Sequence, residues 1–234
     1  MHAKRAGMTQ PDPVHDRRLT RADIAALAAA AVPVVVVDCD LDEVDASGLD
    51  LAGWRFERCG FRHAKLTAAR LERTQWTACR GAFADFLGTD LSDAAFVSSD
   101  FNNAVLRRAT LTGASFRGCK LTGADMSQAG MLDVVFEETL LISAKLPGVS
   151  FRRQTLRRVD LSYADLGKGD FRGTMFEGCS LRDANVVGAR FEKADLRGAD
   201  LGGLRLIDAA LFRGATISPE QAGQLLGELG LKVG

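Results

Sequence analysis

A period of five residues runs through most of this chain and leaves few folds open to it. Read from Leu41, every fifth position is apolar: Leu41, Ala46, Leu51, Phe56, Phe61, Leu66, Leu71 and Trp76, then past Gly81 through Phe86 to Leu211. Only Ala46 and Gly81 lack bulk, and eleven of the thirteen Phe fall in this register. No insertion is read in it up to Leu211. A second series, two residues earlier in each unit, is small and includes Ala64, Ala84, Ala104, Ala124, Ala164 and Ala194. Between the two lies a polar position that is often Asp. Two residues after the large side chain, Gly recurs, as in Gly113, Gly123, Gly173 and Gly203.

A five-residue period matches neither the 3.6 of a helix nor the 2 of a strand. It describes a coil that turns a corner every five residues. The large residue points to the axis, and the small one also points inward, where a longer side chain would collide. The Gly suits a turn that needs positive φ. One unit cannot bury its apolar face alone, so units must stack. Gly81 is expected to mark a local bulge in which Phe83 supplies the missing bulk.

The pattern A-[D/N]-[L/F]-x-x, seen in Ala164-Asp165-Leu166, Ala194-Asp195-Leu196 and Ala199-Asp200-Leu201, resembles the pentapeptide-repeat family. The resemblance covers about 35 units from Val36 to Thr216. It implies an all-β fold, a right-handed quadrilateral β-helix of about nine coils. At roughly 4.8 Å per layer the rod would be about 40 Å long.

The ends read differently. Residues 1–18 are polar and Pro-containing and are expected to be a disordered tail. Residues 19–33 hold an N-terminal capping helix, opened by Thr20 with Asp23 as its capping-box partner and ended by Pro33. The solenoid is placed at 34–217. Residues 218–234 begin with a second capping box, Ser218-Pro219-Glu220-Gln221. An amphipathic stripe follows, Ala222, Leu225, Leu226 and Leu229, with Leu231 beyond Gly230. The stripe reads either as an end cap or as a homodimer interface. This tail is similar to that of the Qnr-type quinolone-resistance proteins, and the resemblance implies end-to-end dimerisation through the C-terminal helix.

Little in the chain points to catalysis, and neither an enzymatic activity nor a cofactor is expected. Cys39, Cys59, Cys79, Cys119 and Cys179 all occupy the small inward slot, at spacings that are multiples of 20, so they should stack on one interior side as packing residues. Unpaired buried thiols point to a reducing compartment. The only His are His2, His15 and His63, too few and too scattered for a metal ladder. No phosphate loop, nucleotide fingerprint or nucleophile elbow is present. Ile24–Val37 is an apolar run about half the length of a membrane helix, broken by Pro33. Arg17, Arg18 and Arg21 hint at a signal peptide, but no small-residue cleavage site follows, and a cytoplasmic protein is expected.

Lys+Arg and Asp+Glu number 30 each, which argues against nucleic-acid binding through bulk positive charge. The register assigns each outer residue to one of four sides. One side gathers Asp40, Asp42, Glu43, Asp100, Asp160, Asp183 and Asp200 against Arg62, Arg80, Lys120 and Arg182, and is the candidate partner face. The Qnr resemblance implies DNA gyrase or topoisomerase IV as the protein partner, protected from quinolones or other poisons. The alternative is a generic interaction scaffold. Two irregularities stand out: outward apolar residues at Leu132, Val135, Leu140 and Ile142 near Pro147, and a basic patch of Arg152, Arg153, Arg157 and Arg158. The first is either a partner site or a local bend that buries them.

Overall fold

The computed structural model describes residues 12–204, 210–228 and 230–232. Nine short strands recur at intervals of 20 residues: β2 (Val35–Val37), β3 (Arg55–Glu57), β4 (Gln75–Thr77), β5 (Ala95–Val97), β6 (Ser115–Arg117), β7 (Val135–Glu137), β8 (Thr155–Arg157), β9 (Met175–Ser180) and β10 (Asp195–Asp200). Each pairs in parallel with the next, as Phe56↔Trp76 and Phe96↔Phe116 do. The other three sides of the coil are joined by columns of single parallel bridges, such as Asp45↔Lys65, Asp50↔Arg70 and Arg80↔Asp100. The result is a right-handed quadrilateral β-solenoid of about nine turns.

The five-residue code accounts for the packing. From Leu41 to Leu201 every position of the large apolar series is buried except Met131, which is half-buried. Aromatic rings stack along the axis: Trp76 on Phe96 at 5.3 Å, Phe96 on Phe116 at 4.7 Å and Phe116 on Phe136 at 5.2 Å, all within 13° of parallel. The polar slot is a backbone device. Twelve Asp, from Asp40 to Asp200, accept a hydrogen bond at 2.8–3.2 Å from the N–H two residues on, closing the turn around the large residue. The position after the turn has positive φ along the rod from Glu43 to Gly203, except at Gly198. Gly fills it at some coils, but Arg73, Phe83 and Lys193 sit there at φ 56°, 62° and 62°.

Both ends are closed. Helix α1 (Arg21–Ala28) has the expected capping box between Thr20 and Asp23. Its Ile24 is buried in the core, and Arg21 donates to the carbonyls of Asp45 and Ser47 in the first coil. Helix α2 (Pro219–Glu228) buries Leu225. The Gln221 amide donates to the carbonyls of Leu196 and Ala199, which would otherwise be bare at the top of the stack.

Three expectations need correction. Residues 12–18 are not part of a disordered tail: Val14–His15 forms β1, paired in parallel with Val36 and Val37, and Leu19 behind it is buried. A short segment can order here because the first coil offers an unpaired edge. Gly81 marks no bulge, since its N–H keeps the regular bond to the Asp100 carbonyl at 2.7 Å. A Cβ at Gly81 would lie 2.2 Å from the Phe101 ring, so Phe101 takes the space, while Phe83 is 50% exposed and stacks on His63 at 5.1 Å. The register does slip before its end. Thr216 pairs with Asp195, 21 residues away, and Phe212 rather than Leu211 stacks on Phe191, at 4.8 Å. Leu206, Leu229 and the residues before Asp12 lie outside the described residues.

Candidate interaction surfaces

Because bridges fix each outer column, the candidate partner face can be read directly. One column runs Arg18, Asp40, Gly60, Arg80, Asp100, Lys120, Leu140, Asp160 and Ser180. Acids and bases alternate along it, so this side is not a continuous acidic strip. Asp40, Asp42 and Glu43 cluster near the N-terminal end. Asp160, Asp183 and Asp200 lie near the other, where Asp200 is held by Arg182 at 2.9 Å. Asp40, Asp100, Asp160 and Asp200 each use one oxygen for their turn; the other faces Arg18 at 3.8 Å in Asp40 and is bonded by Arg182 in Asp200, and is left for solvent or a partner in Asp100 and Asp160. Asp42 accepts the Arg62 N–H of the next coil. A shallow groove of about 520 Å³ crosses the neighbouring corner, floored by Ala78, Ser98 and Gly118 and flanked by Arg80, Asp100 and Lys120.

The interior thiols are all buried and unbonded to one another as disulfides. Burial pushes the Cys119 thiol up to about 11, and its hydrogen bond with Cys59 together with burial pushes Cys79 higher still. Groups held neutral in this way are poor nucleophiles. Among the described residues no cluster of His, Cys, Asp or Glu is placed to hold a metal ion. No described helix is long and apolar enough to cross a membrane.

The C-terminal stripe divides. Leu225 faces the chain's own core and Ala222 is half-buried, while Leu226 and Leu231 stay exposed. The basic patch divides as well. Arg157 pairs with Glu177 at 2.9 Å and Arg158 with Glu138, whereas Arg152 and Arg153 have no carboxylate partner among the described residues. Of the apolar group, Leu132 is 67% and Val135 40% exposed, and Leu140 and Ile142 are half-buried.

Sequence inspection missed a breach in the ladder beside these residues. On either side of it the coils are fully bonded: Gly113 N–H to Leu132 at 2.9 Å and Val135 N–H to Ala114 at 2.9 Å below, Arg153 N–H to Arg172 at 3.0 Å and Met175 N–H to Gln154 at 3.0 Å above. Between them, the equivalent bonds from Met131, Asp133, Ser150 and Thr155 are absent, and β7 keeps one register pair with β8, Glu137↔Arg157. Gln154 lies at the breach, in an inward slot between Val134 and Thr174 of its column. Trp54 fills the same column buried and with its ladder bonds intact, so it is the polar end of Gln154, not its length, that suits the slot badly. Gln154 is half-buried, and the coils part around it to leave a cleft of about 410 Å³.

A rod of stacked five-residue turns, capped at both ends and marked on its outer faces, defines a β-solenoid of the pentapeptide type. The sequence matches the family described as Pentapeptide repeats in eight copies, over residues 39–75, 59–96, 89–128, 136–173 and 174–216, and the chain belongs to that family. Among solved structures it is similar to HetL of the cyanobacterium Nostoc sp. strain PCC 7120, a pentapeptide-repeat protein involved in heterocyst differentiation regulation. That match has 22% identity and a TM-score of 0.65 over 82% of this chain and 87% of HetL. It is also similar to a trypsin-treated variant of QnrB1, a plasmid-mediated fluoroquinolone resistance protein, at 21% identity and a TM-score of 0.54 over 94% of this chain and 98% of QnrB1. Comparison with curated proteins yields no match.

Proposed function

We propose that this protein is a non-catalytic, cytoplasmic rod that binds DNA gyrase or topoisomerase IV and protects it from quinolones or related poisons. The supporting observation is the length shared with QnrB1, the match covering 94% of this chain and 98% of that one, together with this chain's own layout of a solenoid closed by a C-terminal helix. The acids at both ends of the Asp40–Asp200 side would face basic surface on the enzyme. Arg80 and Lys120 interrupt that side, so the binding mode differs from simple imitation of a duplex, which carries one charge per about 1.7 Å. Exposed Leu226 and Leu231, beside half-buried Ala222, would join two rods end to end as a homodimer. Leu225 contributes from within by fixing α2 on the stack. The proposal includes no direct nucleic-acid or membrane contact.

The test is a gyrase supercoiling assay with and without ciprofloxacin. Restored supercoiling in the presence of drug supports the reading. A protein that neither rescues nor inhibits the enzyme rejects it. The second reading, a regulatory scaffold with a different protein partner, draws on the likeness to HetL and on the balanced charge.

A further inference from the structure

We propose that the mid-rod breach is a docking cleft for a protein segment that offers an apolar side chain flanked by a carboxylate. The inference rests on the reading that the rod binds protein, but not on which protein.

Three independent features converge there. The cleft is lined by Met131, Leu132, Pro147, Val149, Arg152 and Gln154, so an apolar floor meets a cationic edge. Its volume of about 410 Å³ is within the range of sites that bury a ligand side chain. Its lips carry backbone groups that every neighbouring coil pairs: the N–H groups of Met131 and Asp133 on one side, the carbonyls of Ser150 and Arg152 on the other. Such groups need partners, which a bound segment would supply along with its side chain.

Charge selects the occupant. On the upper lip Arg152 lines the cleft, and Arg153 extends over Gly173, with no carboxylate bound to either among the described residues. Arg157 and Arg158 next to them are already paired. Asp133 is the acid on the lower lip, so the carboxylate of a visiting segment belongs on the upper side. Leu132, among the most exposed large apolar residues of the rod, would be covered by the same contact. The site lies where Gln154 puts a polar amide in an inward slot, a local conflict of the kind that marks function rather than packing.

The full chain is titrated with a fluorescein-labelled synthetic peptide in which Glu alternates with Leu and Phe, read by anisotropy. A matched peptide with Lys in place of Glu is the control. Wild type should bind the acidic peptide at least tenfold more tightly than the control. Leu132→Ser and Arg152→Glu should each weaken it about tenfold. Gln154→Ala, which lets the coils close, should abolish binding while raising the melting temperature and slowing exchange of the Met131 and Asp133 amides. Equal binding to Gln154→Ala, or no binding to wild type at up to about 1 mM, overturns the proposal. The gyrase reading is scored separately. Peptide binding without any effect on gyrase supports the cleft and removes only that reading. Gyrase rescue that is identical in wild type and Gln154→Ala, with no peptide bound, overturns the cleft alone.

Discussion

The rod below Met131 and the rod above Phe151 are built from the same five-residue sentence but hold together differently. Below, a single aromatic column rises through Phe56, Trp76, Phe96, Phe116 and Phe136, with successive rings 4.4–5.3 Å apart. Above, that column meets Leu156, and a second one on another side takes over through Phe151, Phe171, Phe191 and Phe212. The two meet edge-on between Phe136 and Phe151 at 5.9 Å, next to the corner that has lost four ladder hydrogen bonds. In a linear stack each coil touches only its neighbours, so stability is a sum of interface terms. The breached corner is then the expected boundary between two cooperative blocks.

The sharpest way to break that picture is Phe96→Ala. Removing a buried ring from the middle of the lower column should cost about 3–5 kcal/mol. Calorimetry should show the lower block melting first while the upper transition stays in place. A single transition that moves as a whole would mean that the breach does not separate the blocks. Gly81→Ala should cost up to about 3 kcal/mol, again in the lower block, because its new methyl meets the Phe101 ring. Amide exchange resolves which coils respond.

Asp170 probes the upper block. Its hydrogen bond from Arg172, reinforced by Arg190, holds its carboxyl down at about 2, below the ordinary aspartate value of 3.8, and the residue is largely buried. A depressed folded-state value contributes stability that is complete above about pH 4 and is lost as pH falls toward 2. Asp170→Asn should remove about 2 kcal/mol from the upper transition at neutral pH and flatten its decline between pH 4 and 2. An unchanged acid profile would show that the two Arg do not stabilise the carboxylate. The smallest effect is a gain. Arg73 is exposed at φ 56° with no bonded partner among the described residues, and Arg73→Gly should stabilise the lower block by about 0.5–1 kcal/mol, read as a small rise in its melting temperature.

Much of this architecture could be read from the chain beforehand, since a fixed period puts every large residue on the axis whatever its neighbours do. The capping boxes at Thr20 and Ser218 were equally legible, being short-range signals. What escaped has physical reasons. Leu211 and Phe212 are adjacent and both apolar, so the pattern alone could not place a one-residue slip between them. Val14–His15 has no periodicity of its own and is ordered by the edge it finds. The role of Gly81 depends on a ring 20 residues away. Gln154 was visible as the one long amide in its inward column, yet its surroundings needed the stacking partners Val134 and Thr174 to be known. The register could assign the acids and bases of the candidate surface to one side, and the bridges add their lateral order, in which acid and base alternate.

The amide of Gln221 has a consequence for how the molecule behaves in a crowded solution. A parallel stack is open-ended by construction, and the Leu196 and Ala199 carbonyls it covers are the landing points for another chain. With β1 and α1 seated on the opposite end, neither terminus offers a template. Without that lid the same geometry would let one copy add to the next indefinitely, so the final helix is also what keeps the rod from seeding a fibre.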